Sequence, residues 1–132
     1  MLKEKIMKLN TLFVINAVVA VLFGLGFILI PSQLLSLYNV DMNEAGIYLA
    51  RLLGAAFLAF AIISWLVRDS VGSHDQRAVV MAFLIADILS FIVSLTYQFQ
   101  GIANAIGWST IVIYLLLGLG FGYFYFRNPA ST

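Results

Sequence analysis

Cysteine is absent from this 132-residue chain, proline occurs only twice and histidine only once. Without cysteine, disulfides, thiolate metal sites and thiol redox chemistry are excluded. Charged residues make up 10% of the chain, whereas a soluble domain carries about 25%. A net charge of +1 gives no basis for binding nucleic acid. We therefore expect no metal, no cofactor and no nucleic-acid partner. The low fraction of charged residues is also not that of a soluble domain.

Four long apolar runs take up most of the sequence. Hydrophobic residues make up 63% of the chain, and the mean hydropathy is +1.04. The runs cover residues 9–30, 47–67, 78–97 and 105–126. Each run approaches or exceeds the roughly 20 residues that a helix needs to cross a hydrocarbon core of about 30 Å. The sequence therefore predicts an all-α integral membrane protein, a single transmembrane domain over residues 1–132 that forms a four-helix bundle.

The distribution of basic residues predicts the orientation of this bundle. If the chain starts in the cytoplasm, all but one of its seven Lys and Arg residues lie on the cytoplasmic side. They are Lys3, Lys5, Lys8, Arg68, Arg77 and Arg127. Lys and Arg in short loops favour the cytoplasmic side of a membrane. We therefore expect both termini in the cytoplasm, and a multi-pass protein of a bacterial inner membrane.

The connection between the first two runs begins with Pro31. Proline lacks an N–H and restrains the residue before it, so Pro31 should end the first helix. Two interpretations of residues 31–46 are open. The segment is either a short amphipathic stretch on the membrane surface or a hydrophobic loop packed on the helix ends.

Small residues recur at every fourth position of the predicted helices, a spacing that lets helix backbones approach closely in lipid. The longest series, in the third run, consists of Ala78, Ala82, Ala86, Ser90 and Ser94. Shorter series are Gly46, Ala50 and Gly54 in the second run, Gly118 and Gly122 in the fourth, and Asn16, Ala20 and Gly24 in the first. These positions predict helix packing within one bundle, and a homodimer seam is the alternative.

Asp87 is the single acidic residue inside a predicted span. It lies about 14 Å from either end of its run at 1.5 Å per residue, where an ionised carboxylate costs about 2.5 kcal/mol or more. Asp87 must therefore be protonated, paired, or facing a wet cavity. Asn16 and Tyr114 lie at similar depth in other runs and predict a buried polar cluster with it. Ser94 and Gln98 share its helix face and predict a polar track toward the outer surface.

Arg51 is the single basic residue inside a predicted span. It differs from Asp87 in depth by about 7 Å, roughly the length of its side chain. Two interpretations are open: Arg51 pairs with Asp87, or it extends toward Glu44 and the lipid headgroups. Asn16 has a comparable alternative, a hydrogen bond to a neighbouring helix. Four hydroxyl residues are expected to bond carbonyls of their own helices, namely Thr11, Ser64, Ser109 and Thr110.

Three stretches of the sequence carry a family resemblance. They are FGLGF, a proline and LLSLYNV within residues 23–40, LARLLGAAFL and SWL within 49–66, and NAIGWSTIVIYLLLGLGFGYF at 104–124. Together they resemble a group of small four-helix bacterial membrane proteins that have no assigned activity. The resemblance covers nearly the whole chain and implies no catalytic residue. In that group we expect glycine where Asn39 stands, and asparagine also tolerates a left-handed turn.

Three functions are compatible with these features. Short loops and abundant small residues favour a non-enzymatic accessory or assembly subunit, whose partners would be the lipid bilayer and a larger membrane complex or a second copy of the chain. The alternative is a small transporter or channel with Asp87 as its proton or substrate site. A lipid-modifying or quinone-linked enzyme is disfavoured, because the spans offer no activated nucleophile, metal cluster or acid pair. We therefore expect no enzymatic activity.

Overall fold

The computed structural model describes residues 2–127, with side-chain surroundings for residues 9–127, so that Lys3, Lys5 and Lys8 lie outside the described side chains. The helices are α1 (Leu2–Leu29), α2 (Pro31–Ser36), α3 (Glu44–Val67), α4 (His74–Phe99) and α5 (Gly107–Arg127). All except α2 are long and apolar enough to cross a membrane. Residues 2–127 contain no strand. The predicted all-α fold with four candidate spans is confirmed.

Side-chain caps fix where α3 and α4 begin. The Asn43 side chain accepts a hydrogen bond of 2.9 Å from the Gly46 N–H at the start of α3. The Ser73 hydroxyl accepts one of 3.0 Å from the Gln76 N–H at the start of α4. Both contacts satisfy N–H groups that a helix leaves unpaired in its first turn. Gly46, which the sequence placed in a packing series, therefore lies in a capped first turn.

The segment after Pro31 packs across the helix ends. Pro31 opens α2, and the turn that follows α2 contains Asn39 with a φ of 59°. This is the left-handed conformation that glycine or asparagine tolerates. The Asn104 backbone N–H donates to the Tyr38 carbonyl at 3.0 Å, and its side chain donates to the Leu37 carbonyl at 2.9 Å. The segment therefore reaches from α1 and α3 to the loop between α4 and α5.

The first helix pair, α1 with α3, crosses at two glycines. A Cβ atom on Gly54 would lie 2.7 Å from the Gly24 carbonyl oxygen, and one on Gly24 would lie 3.0 Å from the Gly54 carbonyl oxygen. Such a close approach of two backbones leaves no room for a side chain. Ala50, one turn earlier on α3, is also buried. This part of the small-residue spacing therefore does lie in a helix contact.

The second helix pair, α4 with α5, packs less tightly at its glycines. A Cβ on Gly118 would lie 3.5 Å from the Asp87 Cβ, and one on Gly122 would lie 3.4 Å from Leu84 Cδ1. The first distance is an ordinary van der Waals contact and the second is at its lower edge. Both glycines therefore face α4, but a methyl group at Gly118 would fit without displacing its neighbour.

The small-residue series on α4 does not lie in a helix contact along its whole length. Ala78, Ala82 and Ala86 are exposed, and Ser90 and Ser94 are half-buried. The residues that α4 buries are instead Val80, Phe83 and Asp87, together with Gln76. Because the larger side chains face inward, the alanines of this series face outward and do not form the expected seam within the bundle.

A tightly packed core joins the two helix pairs at one end of the bundle. We call this the terminal end, because α1 starts and α5 ends there, and we call the opposite end the α2 end. The core consists of Leu9, Phe13, Val80, Phe83, Leu117, Phe121 and Phe124. The ring of Phe121 lies 5.5 Å from that of Phe13 and 5.4 Å from that of Phe83. Contacts between the pairs are sparse compared with contacts within each pair, which leaves space between them beyond this core.

Candidate functional site

A cavity of about 390 Å³ lies between the two helix pairs, and we call it the central cavity. Side chains from all five helices contribute to its wall, most of them apolar. The wall includes the phenylalanines Phe23, Phe27, Phe57, Phe60 and Phe83. Concave sites with an apolar wall and a few polar groups are typical of small-molecule binding. The aromatic rings favour a flat, apolar occupant.

Asp87 places a carboxyl group in the wall of this cavity. The residue is only 7% exposed, and its Oδ2 atom is buried without a hydrogen-bond partner among the described residues. Nearly all buried polar atoms in proteins have such a partner. Leaving one unpaired costs about 1–3 kcal/mol, and more if the group is charged. The Oδ2 atom is therefore an acceptor that a donor from a bound molecule would satisfy.

Another polar side chain on the wall already has a partner on a neighbouring helix. The Asn16 amide on α1 donates a hydrogen bond of 2.7 Å to the hydroxyl of Ser64 on α3, and Ser64 is fully buried. Ser90 on α4 and Tyr114 on α5 also line the cavity. The bond between Asn16 and Ser64 joins α1 to α3 and leaves Asp87 with the unsatisfied acceptor.

Polar groups also close the cavity near the α2 end. The Thr110 hydroxyl donates to the Tyr38 hydroxyl at 3.0 Å, and both residues line the cavity. Asp87, Ser90 and Thr110 therefore mark successive levels from the middle of the bundle toward this end. Polar contacts thus follow the α4 and α5 side of the cavity, while the α1 and α3 side is largely aromatic.

Three of the four residues predicted to form a buried polar cluster share this cavity, namely Asp87, Asn16 and Tyr114. The fourth, Arg51, does not. It lies exposed on α3 and does not line the cavity. The single ion pair among the described side chains joins Arg68 to Asp69 at 3.4 Å. Arg51 therefore makes no salt bridge with Asp87, because its position on α3 faces away from the space between the helix pairs.

The predicted outer polar track consisted of Ser94 and Gln98, which share a helix face with Asp87. Neither residue lines the central cavity. The Gln98 amide instead donates to the Asn104 carbonyl at 2.9 Å and so fixes the loop between α4 and α5. The polar groups that extend from Asp87 toward the α2 end are Ser90 and Tyr114. The sequence analysis had assigned Ser90 to the packing series on the third run and Tyr114 to the buried polar cluster.

Sequence reasoning missed the bond of Ser64 to α1 and the bond of Thr110 to the turn after α2. Ser109 donates to the carbonyl of Ile106, the residue just before α5, at 2.6 Å. Ser64 was expected to bond a carbonyl of its own helix. However, the buried positions of α3 are Ala50, Gly54, Ala61 and Ser64. Ser64 therefore continues the face that starts with the glycine series, and this spacing is the signal that could have placed it.

Arginine side chains at the terminal end lie over aromatic rings. Arg68 lies 3.8 Å from the ring of Trp65, and Arg77 lies 4.2 Å from the ring of Tyr125. Such pairs place a cation beside an amphipathic ring, an arrangement suited to the depth of lipid headgroups. Among the described residues, no group of three His, Asp or Glu side chains could hold a metal ion.

The fold and its four long apolar helices are those of a small multi-pass membrane protein. Within that class, the chain belongs to the family described as a domain of unknown function, DUF8292, which matches residues 1–126. This confirms the resemblance to an uncharacterised group. No curated protein and no solved structure matches the chain.

Proposed function

We propose that this protein binds a small, largely apolar molecule inside the membrane, and that Asp87 accepts a hydrogen bond from an amino group of that molecule. The observation that carries the proposal is the buried, unpartnered Oδ2 atom of Asp87 in the wall of an apolar cavity. A protonated amine is the best-matched donor, because bonds to a carboxylate are strongest when both partners are charged. The proposal corresponds to the small-transporter alternative and involves no enzymatic step.

The dimensions and wall of the cavity support a ligand with one ring system and one donor. Its volume of about 390 Å³ is at the small end of the roughly 300–1,000 Å³ of ligand sites. The rings of Phe27 and Phe57 are stacked at 6.0 Å, and Phe23 and Phe60 lie beside them. A flat aromatic group would contact these rings, while its amine would meet Asp87 on the opposite wall.

Fluorescence transfer can test this proposal with anthracenylmethylamine and anthracene carboxylate, which share a ring system and differ in charge. The two tryptophans of the chain act as donors to the anthracene group in lipid nanodiscs, and empty nanodiscs correct for partition into lipid. We expect saturable binding of the amine and none of the carboxylate. Asp87→Asn should weaken amine binding by about tenfold or more, since charged hydrogen bonds are worth about 1.5–3 kcal/mol.

Asp41→Asn provides the matched control, because Asp41 is exposed in the segment before α3. This substitution should leave amine binding unchanged. Equal affinity of wild type and Asp87→Asn for the amine would contradict the proposal. Co-purification with a larger membrane complex, together with no saturable binding, would instead support the accessory-subunit interpretation.

We also propose that the terminal end faces the cytoplasm of a bacterial inner membrane. Arg68, Arg77 and Arg127 all lie at this end, which supports the orientation through the positive-inside rule. Because the chain has no cysteine, single cysteines can be labelled on intact cells with an impermeant maleimide. Asp41→Cys should react and Ser70→Cys should react only after lysis. The opposite pattern would reverse the orientation.

A further inference from the structure

Side chains lie across both ends of the central cavity within the described part of the chain. At the terminal end, the rings of Phe13, Phe83 and Phe121 pack against one another. At the α2 end, the hydrogen bond between Tyr38 and Thr110 joins the segment after α2 to α5. A molecule that reaches Asp87 therefore has to pass between two helices along the side of the bundle, or one of these ends has to open.

One side of the cavity is open toward the surroundings of the bundle. Leu53 and Phe60 on α3 line the cavity, and yet they are 46% and 40% exposed. Ala86 on α4 also lines the cavity and is exposed. On the opposite side, between α1 and α5, the lining residues Val19 and Ile113 are half-buried. The cleft between α3 and α4 is therefore the less covered side.

Ala86, from the small-residue series on α4, accounts for this cleft. It lines the cavity and is exposed, and its side chain ends at Cβ, so that it covers little of the space toward α3. On the terminal side, the cleft is bounded by Phe60 and Phe83, whose rings meet edge to face at 6.1 Å. Ala86 directly precedes Asp87, midway along α4. The cleft therefore opens at the depth of the hydrocarbon core, close to the unpartnered carboxyl group.

We infer that the cleft formed by Leu53, Phe60 and Ala86 is a lateral portal, through which a lipophilic amine dissolved in the bilayer enters the central cavity. The inference rests on the proposed function and adds the source and route of the ligand. A molecule that partitions into hydrocarbon meets the portal at the depth of Asp87 without passing the side chains that lie across either end. Ligands confined to water would be excluded.

Binding kinetics can separate the portal from the binding site. Anthracenylmethylamine is mixed with the protein in nanodiscs, and the transfer signal from tryptophan is followed by stopped flow. Ala86→Phe should slow association and dissociation together by about tenfold, the effect of a barrier higher by ~1.4 kcal/mol. Ala82→Phe is the matched control, since Ala82 is exposed on the same series but does not line the cavity.

A second variant tests the same opening from α3. Leu53→Trp should slow both rates, whereas Leu52→Trp should not, because Leu52 is 51% exposed and lies outside the cavity wall. If both portal variants bind at wild-type rates while Asp87→Asn still lowers the affinity, the portal is contradicted and the proposed function stands. If wild type shows no saturable binding of the amine, both are contradicted.

Discussion

Gly54 shows how one residue sets the distance between two helices. A Cβ at this position would meet a backbone oxygen of Gly24 at 2.7 Å and the Ile28 Cγ1 atom at 2.8 Å. A backbone oxygen cannot rotate away as a side chain can, so any residue larger than glycine forces α1 and α3 apart. At Gly118, by contrast, the nearest atom is the Asp87 Cβ at 3.5 Å.

Alanine substitutions at these two glycines should therefore have opposite effects. Gly54→Ala should lower the free energy of unfolding by about 1–3 kcal/mol, the usual cost of overpacking. Gly118→Ala should be neutral or stabilising by up to about 1 kcal/mol, because alanine is the better helix former. Reversible unfolding by SDS in mixed micelles measures both values. Equal stability of the two variants would contradict the close crossing of α1 and α3.

For Asp87 and Arg51, the sequence could predict the position of each charged residue along its helix, but not the direction in which its side chain faces. The position of Asp87 midway along α4 followed from counting residues, whereas its burial, at 7% exposure, depends on which way its helix face points. Counting residues cannot give the rotation of α3 about its axis, which determines the direction of Arg51. The exposure of Arg51 therefore had to come from the structure.

Among the elements, α2 and the turn after it depend on backbone conformation. Asn39 has a φ of 59°, and the contacts that Tyr38 and Leu37 make with Asn104 follow directly from that turn. The family resemblance had indicated a left-handed residue at this position. The packing of α2 across the helix ends was one of two open interpretations, because hydrophobicity alone does not distinguish burial against protein from burial in lipid.

Substitutions at Asn39 can test this turn. Asn39→Gly should leave stability within about 0.5 kcal/mol of wild type, whereas Asn39→Val should lower it by about 1–2 kcal/mol, the cost of a left-handed L-residue with a branched side chain. Gln33→Val, on the exposed face of α2, controls for the change in side chain. Thermal unfolding in detergent provides the measurement, and equal stability of Asn39→Val and Asn39→Gly would argue against the left-handed turn.

The series of small residues on α4 shows that regular spacing alone does not predict a helix contact. Regular spacing predicted a packed ridge, and on α3 the residues at that spacing are buried, as Gly54 and Ala50 show. On α4, the residues beside the series are larger and apolar, and Phe83 fills the core instead of Ala82. A spacing of small residues therefore predicts where backbones can approach, but the neighbouring large residues decide whether they do.

For the whole molecule, the two helix pairs and the space between them are the feature that sequence could not predict. Length and hydropathy were sufficient for the four candidate spans. The pairing of α1 with α3 and of α4 with α5, however, depends on side chains from distant parts of the chain. The aromatic wall of the cavity comes from α1, α3 and α4, and its residues form no pattern within any single helix.

Photolabelling by an amine is the most direct test for a ligand beside Asp87, because it identifies the residues that surround the ligand. A benzylamine that carries a trifluoromethyl-diazirine is irradiated with the protein in nanodiscs, and the adducts are mapped by mass spectrometry. We expect adducts on cavity residues such as Phe57, Phe83 and Tyr114, and both excess anthracenylmethylamine and Asp87→Asn should reduce them. Adducts confined to lipid-facing residues such as Leu66 and Leu116, unaffected by either, would contradict the proposed ligand site.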